Sequence, residues 1–159
     1  MGHLHPETRI INDAQFSADS RRLVTTAETV AATPSGFGGE AQVWDASTGE
    51  AIGRPLADLS ITLRARFSPD GTKLVTSSRD GLIRVWNVEL GEPQLEWQNA
   101  GAAAGTIEFS PNGKMIATSS PGATVQILDA ATGRPVGRYH DHRVGFVAAL
   151  QQVNQPVFV

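Results

Sequence analysis

Phe67-Ser-Pro-Asp-Gly71 and Phe109-Ser-Pro-Asn-Gly113, 42 residues apart, decide how this chain is read. In each, proline presets φ and glycine accepts a positive φ, the requirements of a tight turn between extended segments. A looser copy, Phe16-Ser-Ala-Asp-Ser20, lies 51 residues before the first of these. A second landmark travels with the turn: Val43-Trp-Asp45, Val85-Trp-Asn87 and Ile127-Leu-Asp129, spaced by 42 residues. A third follows it: Ser47-Thr-Gly49, Glu89-Leu-Gly91 and Ala131-Thr-Gly133. Three landmarks in one order over three copies make this a repeat protein. Within the middle copy, Ala65–Phe67, Lys73–Ser77, Leu82–Trp86 and Pro93–Trp97 are short apolar or alternating runs, and Arg79-Asp80-Gly81 is a turn between two of them. No window sustains a 3.6-residue apolar period, so the chain is expected to be all-β and nearly free of helix.

Four strands in about 42 residues is the size of a β-propeller blade. The FSPDG-type turns, the stretch Leu74-Val-Thr-Ser-Ser-Arg-Asp-Gly81 and the Trp–Asp/Asn strand ends resemble the WD40 family over essentially the whole chain. The connectors from Asp45 to Gly53 and from Asp129 to Gly137 are similar to those of bacterial WD40 arrays, which often follow signalling modules. The resemblance implies one partial domain over 1–159, with repeats at 6–56, 57–98 and 99–139 and a partial repeat at 140–159. It implies strands a to d in each blade, with Trp44, Asp45, Phe67, Asp70, Gly71, Asp80, Trp86, Phe109, Gly113, Asp129 and His140 as the repeat signature. The family's stabilising set joins a loop His, a Ser/Thr on strand b, an Asp in the b–c turn and a Trp on strand c. The middle copy offers Thr76 or Ser78, Asp80 and Trp86, with Ala57 in place of His; the first has Gly38 for Asp. The third has Asn99, Gly122 and Leu128 for His, Asp and Trp, so modest stability is expected.

A propeller closes with typically 4–8 blades. Three and a half leave an incomplete ring with bare blade faces and an unpaired edge. The chain is therefore expected to be part of a longer array, or to complete its ring head-to-tail with another copy.

The 159 residues carry a net charge of −3, so no basic surface for nucleic acid or anionic membrane is expected. The absence of cysteine excludes disulfides, thiolate metal sites and Cys nucleophiles. The first residues, MGHLHPETR, lack the apolar stretch of a secretory leader, and a cytoplasmic location is expected. His3, His5, His140 and His142 fall in no catalytic motif, and His140-Asp-His142 lacks a third ligand at a useful spacing. No catalytic, metal or cofactor residue is assigned. Pro34-Ser-Gly-Phe-Gly-Gly39 is not followed by Gly-Lys-Ser/Thr and reads as a long flexible loop between strands b and c of the first blade. The resemblance places that loop, the other b–c turns and the d–a loops on the face where partners dock. Phe37, Arg79, Pro121 and Arg143 are the candidate contacts there, for a protein or peptide partner. The expected function is a non-enzymatic interaction scaffold within a longer signalling protein; the alternatives are a truncated fragment with no independent function and a chain that completes its propeller by self-association.

Overall fold

A computed structural model describes residues 10–30, 37–58, 60–98, 105–120 and 124–140. Twelve strands and no helix occur among them. The first sheet comprises β1 (Ile11–Phe16), β2 (Arg22–Val30), β3 (Phe37–Asp45) and β4 (Ala51–Asp58). The second comprises β5 (Thr62–Phe67), β6 (Lys73–Ser78), β7 (Leu82–Asn87) and β8 (Glu92–Gln98). The third comprises β9 (Thr106–Phe109), β10 (Met115–Ser120), β11 (Thr124–Asp129) and β12 (Pro135–His140). Every sheet is an antiparallel meander in chain order, and the three do not close into a ring. β4 runs to Asp58 and β12 through His140, one or two residues past the expected repeat ends.

The repeated motifs are turn chemistry. After the first strand of each sheet a serine hydroxyl donates to a side-chain oxygen two residues on: Ser17 to Asp19 and Ser68 to Asp70, each 2.6 Å, and Ser110 to Asn112, 2.8 Å. The same hydroxyl oxygen accepts the backbone N–H that opens the next strand, from Arg22, Lys73 and Met115 at 2.9–3.0 Å. Gly71 and Gly113 take φ +69° there, whereas Ser20 holds the same left-handed region at +59° with a Cβ to accommodate. A second turn follows the third strand. Asp45 Oδ1 accepts the N–H groups of Ser47 and Thr48 at 2.8 and 3.0 Å. Asn87 does the same for Glu89 and Leu90, and Asp129 for Ala131 and Thr132. These oxygens satisfy backbone donors that would otherwise lack partners in a tight reversal.

The sheets pack face to face in sequence, and two cores fill the seams. Val24, Ala41, Val43 and Leu56 of the first sheet meet Ala65, Phe67, Leu74, Trp86 and Val88 of the second. Val75, Ile83 and Val85, on the other side of the second sheet, meet Ile107, Phe109, Ile116, Leu128 and Ala130 of the third. Strand alternation makes this possible, because successive side chains leave opposite faces. Phe67, Leu74 and Trp86 form one row across β5–β7; Phe109, Ile116 and Leu128 form the equivalent row in the third sheet. In the first sheet that row is Phe16, Leu23 and Trp44, and no described sheet covers it. Phe16 is 58% exposed, against 5% for Phe67 and 4% for Phe109.

One expectation requires correction. Gly38 and Gly39 belong to β3, paired with Thr29 and Glu28, so this part of the glycine-rich segment is strand and not flexible loop. The hairpin of the first sheet is simply longer, with nine residues in each of β2 and β3 against six in β6 and β7. Glycine is required because a Cβ on residue 39 would stand 2.0 Å from the Thr62 backbone nitrogen of the next sheet. The tryptophan partners are also resolved. Trp86 Nε1 donates to Thr76 Oγ1 and Trp44 Nε1 to Thr25 Oγ1, each at 2.9 Å, so Thr76 and not Ser78 is the partner on β6.

Candidate interaction surface

The edge carrying the β6–β7 turn is built from a rigid reversal. Gly81 takes φ +86° and its N–H donates to the Ser78 carbonyl at 3.0 Å; Asp80 Oδ1 accepts the Leu82 N–H at 3.1 Å. The Arg79 backbone N–H donates to the Ile61 carbonyl at 2.8 Å, tying this turn to the segment that leads into β5. Arg79 is itself exposed, on a turn held at both ends. Phe37 opens β3 and pairs through its backbone with Val30; its side chain lies outside the described residues, as do Pro121 and Arg143. His140 closes β12 opposite Thr124. Of the four candidate contacts, the structure thus places Arg79 fully and Phe37 by backbone alone.

A second polar feature runs along the first strands of the sheets, which approach one another across both seams. Arg66 pairs with Asp13 of β1 on one side and, Nε to Oε2 at 3.3 Å, with Glu108 of β9 on the other. Arg64 stands 3.6 Å from Asp13 and donates to the Gly105 carbonyl at 3.3 Å. Gln15 Oε1 accepts the Phe67 N–H at 2.9 Å, and Asn12 donates to the Thr62 carbonyl at 3.1 Å. Burial pushes the Glu108 carboxyl above its usual range, opposed by the Arg66 guanidinium. This ladder balances two cations with two carboxylates and works as an inter-sheet fastener. The sequence reading missed it, although a signal was present: Gln15, Arg66 and Glu108 each stand immediately before the phenylalanine of the repeated turn.

Lower on the first seam, the Arg22 guanidinium lies 5.4 Å over the Phe67 ring, a cation–π contact from the first sheet to the second. Among the described residues, no group of three or more His, Asp or Glu side chains is placed to hold a metal ion. Among the same residues no helix is long and apolar enough to cross a membrane.

The WD40 family model, described as "WD domain, G-beta repeat", matches residues 58–87, the segment from the end of β4 through β7. Residues 58–87 therefore match a WD40 repeat, and the described sheets have the fold of WD40 propeller blades. Solved structures share the propeller arrangement. "Structure of U3-55K" superposes with a TM-score of 0.72 at 16% identity, over 88% of this chain and 42% of that one. "Crystal structure of RRP9 WD40 repeats" gives 0.72 at 16%, over 88% and 41%. The computationally designed Ika8 protein gives 0.65 at 20%, over 84% and 37%. The chain therefore spans less than half the length of each of these structures. No curated protein matches it. WD40 propellers serve in general as interaction scaffolds, and the three blades here have that architecture.

Proposed function

We propose that this chain is a non-enzymatic scaffold that docks a protein or peptide on the edge formed by its b–c turns and d–a connectors. The observation that carries the reading is the Arg79 turn. Its backbone is anchored to Ile61 at 2.8 Å, so an exposed guanidinium is presented from a fixed support. Binding to such a pre-formed edge avoids the ordering cost of a loose loop. A planar, permanently charged fork there suits a carboxylate on the partner. Phe37, Pro121 and Arg143 complete the proposed contact set, with Phe37 as the apolar anchor. The test begins with a partner captured by proximity labelling in cells and confirmed by calorimetry. Arg79→Glu is expected to weaken that complex at least about tenfold, the scale of one charge-assisted contact. An affinity unchanged by Arg79→Glu and by Phe37→Ala would refute docking on this edge.

A further inference from the structure

The repeated turn of the third blade contains Asn112-Gly113, where the second blade has Asp70-Gly71. Asn12, Asn87, Asn99 and Asn154 precede Asp, Val, Ala and Gln, so Asn112 alone is followed by glycine. That is the pairing in which asparagine cyclises most readily. The backbone nitrogen of the next residue attacks the side-chain amide carbon, and glycine has no Cβ to crowd the approach. Asn112 is exposed. Both hydrogen bonds of its side chain fall on Oδ1, from the Ser110 hydroxyl at 2.8 Å and the Lys114 N–H at 3.0 Å. Neither engages Nδ2, the nitrogen that leaves. The same turn restrains the nucleophile: the Gly113 N–H donates to the Ser110 carbonyl at 2.8 Å, with φ fixed at +69°. Attack requires that bond to open and the Ser110 hydroxyl to release Oδ1, so that Cγ swings over the Gly113 nitrogen. These are local bonds at an exposed turn, the kind that open without global unfolding. Asp70 and Asp80 also precede glycine, but an ionised carboxylate is a poor electrophile and those pairs cyclise more slowly.

We propose that Asn112 is a spontaneous modification site, deamidating in the folded chain at a rate held down by the Ser110 turn. The Gly113 nitrogen bonds to Cγ of Asn112, and Nδ2 leaves as ammonia with the proton that nitrogen gives up. A cyclic imide then joins the two residues, and water is the only co-reactant that opens it. Cleavage of the Cγ–N bond gives aspartate on the original main chain. Cleavage at the α-carbonyl gives isoaspartate, whose main chain is longer by a methylene. The fold has a place for the first product. At the equivalent positions Asp19 and Asp70 accept from Ser17 and Ser68 at 2.6 Å, and from the N–H groups of Arg21 and Thr72 at 3.1 and 3.0 Å. Ser110 and Lys114 offer the same two donors to a carboxylate at 112. Isoaspartate carries its carboxylate on a displaced atom and lengthens a turn whose bonds close within a few residues, so it loosens the third blade. Ageing thus divides the chain into a form that keeps its turn with a new negative charge and a form that loses it.

The test incubates the full chain at neutral pH, folded and in concentrated urea, with peptide mapping over weeks and electron-transfer fragmentation to separate aspartate from isoaspartate. Folded wild type is expected to convert at Asn112 ahead of every other asparagine, and more slowly than the unfolded chain. Ser110→Ala removes the hydroxyl that holds Oδ1. It should speed conversion in the folded chain about two- to tenfold, the factor one net hydrogen bond supplies, and leave the rate in urea unchanged. Should that variant fold poorly, wild type in sub-denaturing urea reads the same restraint, its rate rising before the circular dichroism spectrum changes. Asn112→Asp is expected to keep the wild-type Tm, and the chromatographically separated isoaspartyl form to melt lower. Conversion that starts at another asparagine, no conversion in the folded chain, or equal rates folded and unfolded overturns the proposal. An Asn112→Asp chain that melts as low as the isoaspartyl form overturns the assignment of its product to the turn.

Discussion

Thr76→Val separates the buried tryptophan anchor from its exposed counterpart. Thr76 is 2% exposed and Trp86 5%, and the indole N–H donates to the Thr76 hydroxyl at 2.9 Å. Valine keeps the shape and the β-branched fit but strands the N–H in the seam. An orphaned buried donor costs about 1–3 kcal/mol, and with both groups enclosed a value near ~2 kcal/mol is expected. For a chain of this size that lowers Tm by about 4–8 °C. Thr25→Val removes the same 2.9 Å bond to Trp44 in the first blade. There Trp44 is only half-buried on the open face, so water can replace the lost acceptor and the cost should stay below about 1 kcal/mol. Adding Trp86→Phe to Thr76→Val removes the orphan, and the cycle should show a coupling of about 1–2 kcal/mol. Urea denaturation followed by far-UV circular dichroism, at concentrations below any self-association, measures all four variants. Equal costs for Thr76→Val and Thr25→Val, or a coupling near zero, would refute the argument that burial sets the value of this bond.

Three further outcomes are expected. Ser20→Gly should stabilise the chain by about 0.5–1 kcal/mol, because Ser20 holds φ +59° where its counterparts are glycine; thermal denaturation reads the change. Gly39→Ala should cost at least about 3 kcal/mol, its methyl colliding with the Thr62 nitrogen at 2.0 Å and the Ser60 carbonyl at 2.7 Å. Gly49→Ala, with φ +73° and no atom within 4 Å of the new methyl, should cost only about 1 kcal/mol, and the same urea titration compares the two. Asp70 is held below the usual carboxylate range, first by the Ser68 hydroxyl and then by the Thr72 N–H. Its contribution is therefore present above the unfolded pKa of about 4 and lost as pH falls through the lower folded value. Asn112 fills the equivalent place in the third blade without charge, so Asp70→Asn should keep the turn while flattening part of the acid dependence of stability.

The turns and strand order were legible because their signals are local. Serine, aspartate and glycine sit within five residues of one another, and each bond they make closes inside that span. The inter-sheet ladder was not read, since Asp13 and Arg66 are 53 positions apart and its one local trace is the shared place of Gln15, Arg66 and Glu108 before the repeated phenylalanine. Thr76 and Ser78 lie on the same face of one strand, and only the register of β6 against β7 separates them. Glycines 38 and 39 read as a loop because glycine weakens strand patterns; the close approach of the next blade's backbone, invisible from sequence, is what Gly39 serves. Phe16 and Phe67 occupy one motif position with opposite burial, since the cover comes from the neighbouring blade. Arg79 was legible as a turn residue, but its anchoring to Ile61 was not.

The two seam cores share no residue, although Leu74 and Val75, adjacent in the chain, belong to different ones. Mutational drift in this array is therefore compartmentalised. A change at Val24 and one at Ile107 touch separate clusters and should combine without epistasis, each correctable only on its own side. The second blade enjoys no such independence. Each step along β6 alternates between the two compartments, so a substitution in the middle repeat disturbs one seam or the other according to its parity along the strand.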